Sequence, residues 1–372
     1  MSPSRREFLK MSSLLFTVGS VASNRAWSAN SNSSFCAVGY SPTATQKGNG
    51  INSLYPTYPS ELRIFNSKFE LKDNIPLPFF PHSFLQNPNN PFELIVIEKW
   101  GIDAAILDLK QKKIIKKIFP GPGVRFFGHG ACLPSGDLLI SAMDDKKAEG
   151  KILVYRQGDL KESFSSFGVN PHEIKIAPND PNKLVVLNLG GTTKERQGLF
   201  EPRIVWIDLK TKKSSRILKS KMSGGPTHFA FLEKSADQLI VGGTHTTPAI
   251  EIINGKEHSL LEMISTSPNN KTYETLNFLL SQDQFKECLV SCPEADAIFS
   301  LDLEKRKVKS IISKFKARHI FESNGKKYYS YETHKENRSH LVGEDSKGWT
   351  ELSIDNFGNS PHIGTFGDPT RN

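Results

Sequence analysis

Gly168-Val169-Asn170-Pro171-His172-Glu173 decides the reading of the chain, because its Pro-His core returns at nearly even steps. The echoes are Pro81-His82, Gly128-His129, Thr227-His228, Arg318-His319 and Pro361-His362, and Asn277 stands where the spacing calls for one further histidine. Successive members lie 47, 43, 56, 49, 42 and 43 residues apart, and an insertion from Gly190 to Pro202 accounts for the one long gap. A period in the forties is the mark of propeller blades.

Each unit has the same internal grammar. A His-led segment reaches a turn such as Pro134-Ser135-Gly136-Asp137, and an apolar run such as Leu94-Ile95-Val96-Ile97 or Leu184-Val185-Val186-Leu187 follows. A third run closes on an Asp-Leu-Lys turn, as at Asp108-Leu109-Lys110 and Asp208-Leu209-Lys210, and a fourth returns. Four short β-rich runs separated by turn residues describe an antiparallel blade, and no stretch sustains the 3.6-residue apolar period of a helix. The C-terminus supplies only the His-led strand of a unit, Pro361 to Phe366. The N-terminal segments Ser34–Tyr40, Leu62–Phe65 and Phe69–Asp73 match the other three. The expectation is an all-β, seven-bladed propeller over residues 30–372, its ring closed by the N-terminal strands pairing with the C-terminal one. Closure of that kind removes exposed sheet edges.

Ser4-Arg5-Arg6-Glu7-Phe8-Leu9-Lys10 precedes an apolar run, Met11 to Ala22, that is short for a bilayer span. The pattern resembles a twin-arginine export signal, so residues 1–29 are expected to be removed and the remainder to work in the periplasm without membrane insertion, as a monomer. The formal charge of +9 is spread over hairpin turns such as Lys110-Gln111-Lys112-Lys113, which argues against a nucleic-acid footprint. Cys36, Cys132, Cys288 and Cys292 fall in positions that favour no disulfide.

If every His-led segment is the innermost strand of its blade, His82, His129, His172, His228, His319 and His362 stand on one rim of the central channel. Imidazoles gathered there suit a transition metal, iron or copper. Glu173, Glu98, Asn277, Cys292 and Glu332 fall near the same rim and are the candidates to support those rings from behind. Three readings stay open: a metal-binding propeller, a lactonase- or hydrolase-type propeller enzyme working around a bound ion, and a protein-interaction scaffold whose histidines are structural staples.

The runs Gly128-His129-Gly130, Gly168 to Glu173 and Leu187-Asn188-Leu189-Gly190-Gly191 resemble a bacterial exported family catalogued as domain of unknown function 1513. Thr227-His228-Phe229 resembles that family's third His motif, with Thr227 in place of an arginine. The resemblance implies a setting in iron acquisition, beside imelysin-like periplasmic iron-uptake proteins, and it implies no reaction.

Overall fold

The computed structural model describes residues 34–40, 60–66, 69–191, 201–232, 235–263, 272–281, 286–313, 316–323, 326–333, 338–345, 348–352 and 362–366. The expected export signal lies outside them, as do the side chains of Cys36, Glu332 and His362. Apart from one 3-10 turn at Pro293–Ala295, the regular structure among the described residues is β-strand throughout.

Three strands come first: β1 (Ser34–Tyr40), β2 (Ser60–Phe65) and β3 (Leu71–Leu77). Six blades then follow from consecutive chain. Blade one holds β4 (Pro81–Asn87), β5 (Asn90–Glu98), β6 (Ala104–Asp108) and β7 (Lys113–Ile118). Blade two holds β8 (Val124–Cys132), β9 (Leu138–Asp144), β10 (Glu149–Arg156) and β11 (Asp159–Ser165). Blade three holds β12 (Pro171–Ala177), β13 (Asp180–Asn188), β14 (Arg203–Asp208) and β15 (Lys213–Lys219). Blade four holds β16 (Gly225–Phe231), β17 (Gln238–His245), β18 (Ala249–Asn254) and β19 (Glu257–Glu262), with the short β20 (Tyr273–Glu274) added to β17. Blade five holds β21 (Asn277–Leu280), β22 (Glu287–Cys292), β23 (Ala297–Asp302) and β24 (Lys307–Ser313). Blade six holds β25 (Ala317–Ser323), β26 (Lys326–Thr333), β27 (Arg338–Asp345) and β28 (Gly348–Leu352). Within the six blades every pairing is antiparallel and, β20 on β17 aside, joins sequence neighbours, so this is an all-β propeller.

The sequence led us to expect seven blades, the last assembled from both ends of the chain; the described chain shows six blades, each from consecutive chain. The remaining strands form a composite sheet in the order β29-β1-β2-β3, where β29 is His362–Phe366. Its Leu62, Ile75 and Leu77 pack against Leu94, Val96 and Leu107 of blade one. At the other side the Phe69 ring meets Tyr328 of β26, centroids 5.0 Å apart.

The unbroken apolar runs of the second strands have a simple cause. Leu184 and Val186 of β13 face blade two, while Val185 and Leu187 face blade four. A strand sandwiched between blades is buried on both faces, so alternation disappears from its sequence. β5 behaves alike: Leu94 and Val96 turn to the composite sheet, Ile95 and Ile97 to blade two. The Asp-Leu-Lys turns are also accounted for. The Asp108 carboxylate accepts from the N–H groups of Lys110 and Gln111, each at 2.8 Å, and Asp208 does the same for Lys210 and Thr211. Four residues beyond each aspartate, Lys112 and Lys212 take a left-handed φ of 53° and 57°, and the hairpin closes.

Candidate metal centre

The innermost strands are where the histidines sit, and the five that carry His82, His129, His172, His228 and His319 are bulged there. The register slips between Pro81 and Ser83, Phe126 and Gly130, Pro171 and Ile174, Pro226 and His228, and Ala317 and His319. A bulge inserts extra residues opposite the partner strand and re-aims their side chains. β21, which carries Asn277 instead of a histidine, runs in register with β22. The bulges leave no mark in a periodicity argument.

Three imidazoles converge. The ligating atoms of His82, His129 and His172, from blades one, two and three, all lie within 4.8 Å of one another. His82 Nε2 and His129 Nε2 are 3.1 Å apart with their rings nearly perpendicular, at 87°. Two nitrogens at about 2.05 Å from one tetrahedral ion would stand roughly 3.3 Å apart, so the pair is already at ligand spacing. In the metal-free protein one of these Nε2 atoms carries the proton the other accepts, and an ion would require both protons on Nδ1. His172 is set in that tautomer. Its Nδ1–H donates to the Thr227 carbonyl at 2.9 Å, so the Nε2 lone pair faces the cluster. Gly128, at φ +100°, permits this approach: a Cβ there would lie 2.5 Å from His82 Cδ2.

The Lys99 ammonium occupies the position an ion would take on His172. Its Nζ donates to His172 Nε2 at 2.9 Å. Lys99 follows the last residue of β5, bridges to Phe127 of β8, and is pushed down to about 8 by burial, with Arg318 adding to the shift and Glu274 opposing it. Sequence reasoning missed this residue, for a lysine between Glu98 and Trp100 looks like any rim charge.

The remaining candidates are placed differently. His228 flanks the group, its ring 4.9 Å from His172 and 5.3 Å from His129, but its Nδ1 faces Glu173 Oε1 at 3.7 Å. His319 is buried, with Nδ1 3.5 Å from Ser330 Oγ; burial, then the charges of Arg318 and His228, push it down to about 3 and keep it neutral. Of the six expected histidines the five with described side chains fall as three converging imidazoles, one flanking and one apart, and His362 lies outside the described side chains.

Glu173 does not stand behind the three imidazoles. It ion-pairs with the Lys175 ammonium at 2.9 Å and accepts from Phe229 N–H at 2.7 Å. Burial alone would raise its carboxyl; Lys175 and His228 outweigh that and hold it below the usual range. Glu98 folds over the turn after β5, accepting from Asp103 N–H at 3.1 Å, and burial pushes it up to about 7. Asn277 Oδ1 accepts from Ile320 N–H of the next blade at 3.2 Å, a joining role like that of Glu173. Cys292 is fully buried among Val290, Ala295 and Phe299, with its thiol pushed up to about 12, which makes it a core residue and a poor ligand. Cys132 and Cys288 are likewise buried and free.

Residues 75–204, the segment that carries all three converging histidines, match the family described as Protein of unknown function (DUF1513). Among curated proteins none matches. Solved structures share the fold. Hydrazine synthase of Kuenenia stuttgartiensis is similar at 11% identity and a TM-score of 0.57, over 86% of this chain and 95% of that one. A hypothetical selenium-binding protein from Sulfolobus tokodaii is similar at 14% identity and a TM-score of 0.60, over 95% and 96%.

Proposed function

We propose that this protein is a metal-binding propeller that holds one transition-metal ion, iron or copper, on His82, His129 and His172 at the channel mouth. The observation that supports it is the convergence of three imidazole nitrogens from three blades, one of them locked in the ligating tautomer by the Thr227 carbonyl. Three protein ligands leave an open coordination position, as metal sites that exchange ligands or activate water require. The composite sheet serves as the seventh blade, its packing on blade one and its Phe69–Tyr328 contact with blade six being the support for a closed ring. The setting we propose is the periplasm, reached by the twin-arginine route, in iron acquisition beside an imelysin-like partner. No helix among the described residues is long and apolar enough to cross a membrane.

Metal analysis of protein purified and then exposed to ferrous or cupric ions tests this reading. Wild type is expected to retain stoichiometric metal after desalting, and the double variant His129→Ala, His172→Ala to lose it while keeping its β circular-dichroism signature. A folded wild type that retains none overturns the proposal.

A further inference from the structure

The three imidazoles are not equally ready for an ion. His82 and His129 hold their Nε2 atoms 3.1 Å apart across the seam between blades one and two, and ligation asks them to carry their protons on Nδ1. His172 is engaged at both ring nitrogens. Its Nδ1–H donates to the Thr227 carbonyl at 2.9 Å, and its Nε2 accepts from the Lys99 ammonium at 2.9 Å. The first bond sets the tautomer that ligation needs and survives it. The second takes the lone pair that the ion would use.

The ammonium is brought there from another blade. Lys99 directly follows β5 of blade one, and its backbone bridges to Phe127 of β8. Its side chain then crosses to β12 of blade three, where His172 stands 73 positions further along the chain. Gly128 makes room for this stem as well as for the His82 ring. A Cβ at Gly128 would lie 2.9 Å from Lys99 Cβ and 2.5 Å from His82 Cδ2. One bare backbone position thus backs both the receiving pair and the ammonium.

A hydrogen bond with an ionised donor is among the stronger ones a protein makes. The lone pair it occupies can serve one partner at a time, so an ion on His82 and His129 competes with Lys99 for the third corner. When a binding-competent form is populated only part of the time, apparent affinity falls by that fraction.

Resting on the metal reading above, we infer that Lys99 is an internal competitor for the ion. His82 and His129 receive it, and His172 closes on it only as the ammonium leaves. The return of the ammonium to Nε2 loosens the ion again. Such a site passes its metal on instead of keeping it, and Lys99 sets how tightly the ion is held.

The test is a cupric-ion titration of the full chain at neutral pH, against glycine as competitor and read by visible absorption, followed by release into excess chelator. Lys99→Met keeps the stem and removes the donors. It is expected to bind the ion about tenfold tighter than wild type, the effect of losing a hydrogen bond from a charged group, and to release it correspondingly more slowly. Lys99→Gln, a second neutral replacement, is expected to behave alike, with circular dichroism confirming that both variants fold. In a His172→Ala background the same substitutions are expected to leave affinity nearly unchanged, because the lone pair they free is gone. An equal gain in both backgrounds would reveal a lysine acting by charge alone and overturns the inference. Unchanged affinity in the Lys99 variants, or the weaker binding that loss of a ligand gives, overturns it as well. In each of these outcomes the ion is still bound and the metal reading stands. Folded wild type and variants that take up no cupric ion defeat the metal reading itself.

Discussion

At the residue scale, the neighbours of a carboxyl decide its role more than its column in the repeat does. Glu98 was expected to face the histidines; it turns back over its own loop, and burial holds its pKa at about 7 against an ordinary 4.5. The folded state therefore keeps a proton that the unfolded chain has released between those two values. Stability falls as pH rises through that window and stays lowered above it. Glu98→Gln can still accept from Asp103 N–H and carries no charge, so it is expected to be more stable than wild type at pH 8 by on the order of 1 kcal/mol. The gain should vanish near pH 4, and chemical denaturation at both pH values reads it. A constant difference across that range would show that the carboxylate is not the cause. The histidine columns were legible because their spacing is a matter of counting. Lys99 was not, since nothing in one sequence says that a rim lysine bends inward onto an imidazole.

At the element scale, the bulges and the joints between blades are what the repeat concealed. Counting places His172 on an inner strand, but the slip between Pro171 and Ile174 determines where its ring goes, and bulges depend on partner strands that one sequence does not display. The joints follow a pattern visible only in three dimensions. Ser141 Oγ reaches the carbonyls of both His129 and His172, at 3.0 and 3.1 Å, and Ser291 Oγ reaches that of Arg318 at 2.9 Å. Between blades three and four the joint hangs on an ion pair within β12: Glu173 and Lys175 are both buried, Glu173 accepts from the Phe229 N–H and Lys175 donates to the Phe229 carbonyl. Glu173→Gln leaves that ammonium without its countercharge and is expected to cost about 3–5 kcal/mol. Glu173→Met with Lys175→Met removes both charges together and should cost much less. Urea unfolding of the single and double variants checks this, and equal losses would mean that packing, not charge, holds the joint.

At the scale of the whole molecule, the fold rests on a sheet assembled from both ends of the described chain. Blade length and the composite order β29-β1-β2-β3 were legible because a unit lacking three strands at one end and a unit lacking one at the other add to a whole. β29 touches β25 on one side and β4 on the other, and it pairs along β1 from Ser34↔Phe366 to Val38↔His362. Removing it would strip β1 of one of its two partners and bare that edge beside β4, which carries His82. A bare strand edge offers unpaired N–H and C=O groups to any other chain. A chain ending after residue 352 is therefore expected to unfold several degrees lower than the full-length protein and to self-associate, read by thermal melting and size-exclusion chromatography. It should also lose metal affinity, because β4, which carries His82, would lose one of the strands packed against that flank. Adding back a peptide of residues 353–372 should restore the melting temperature, since the missing strand pairs by backbone hydrogen bonds and needs no covalent link. A truncated chain that stays monomeric with an unshifted melt would show that the blades from consecutive chain hold the ring without the composite sheet.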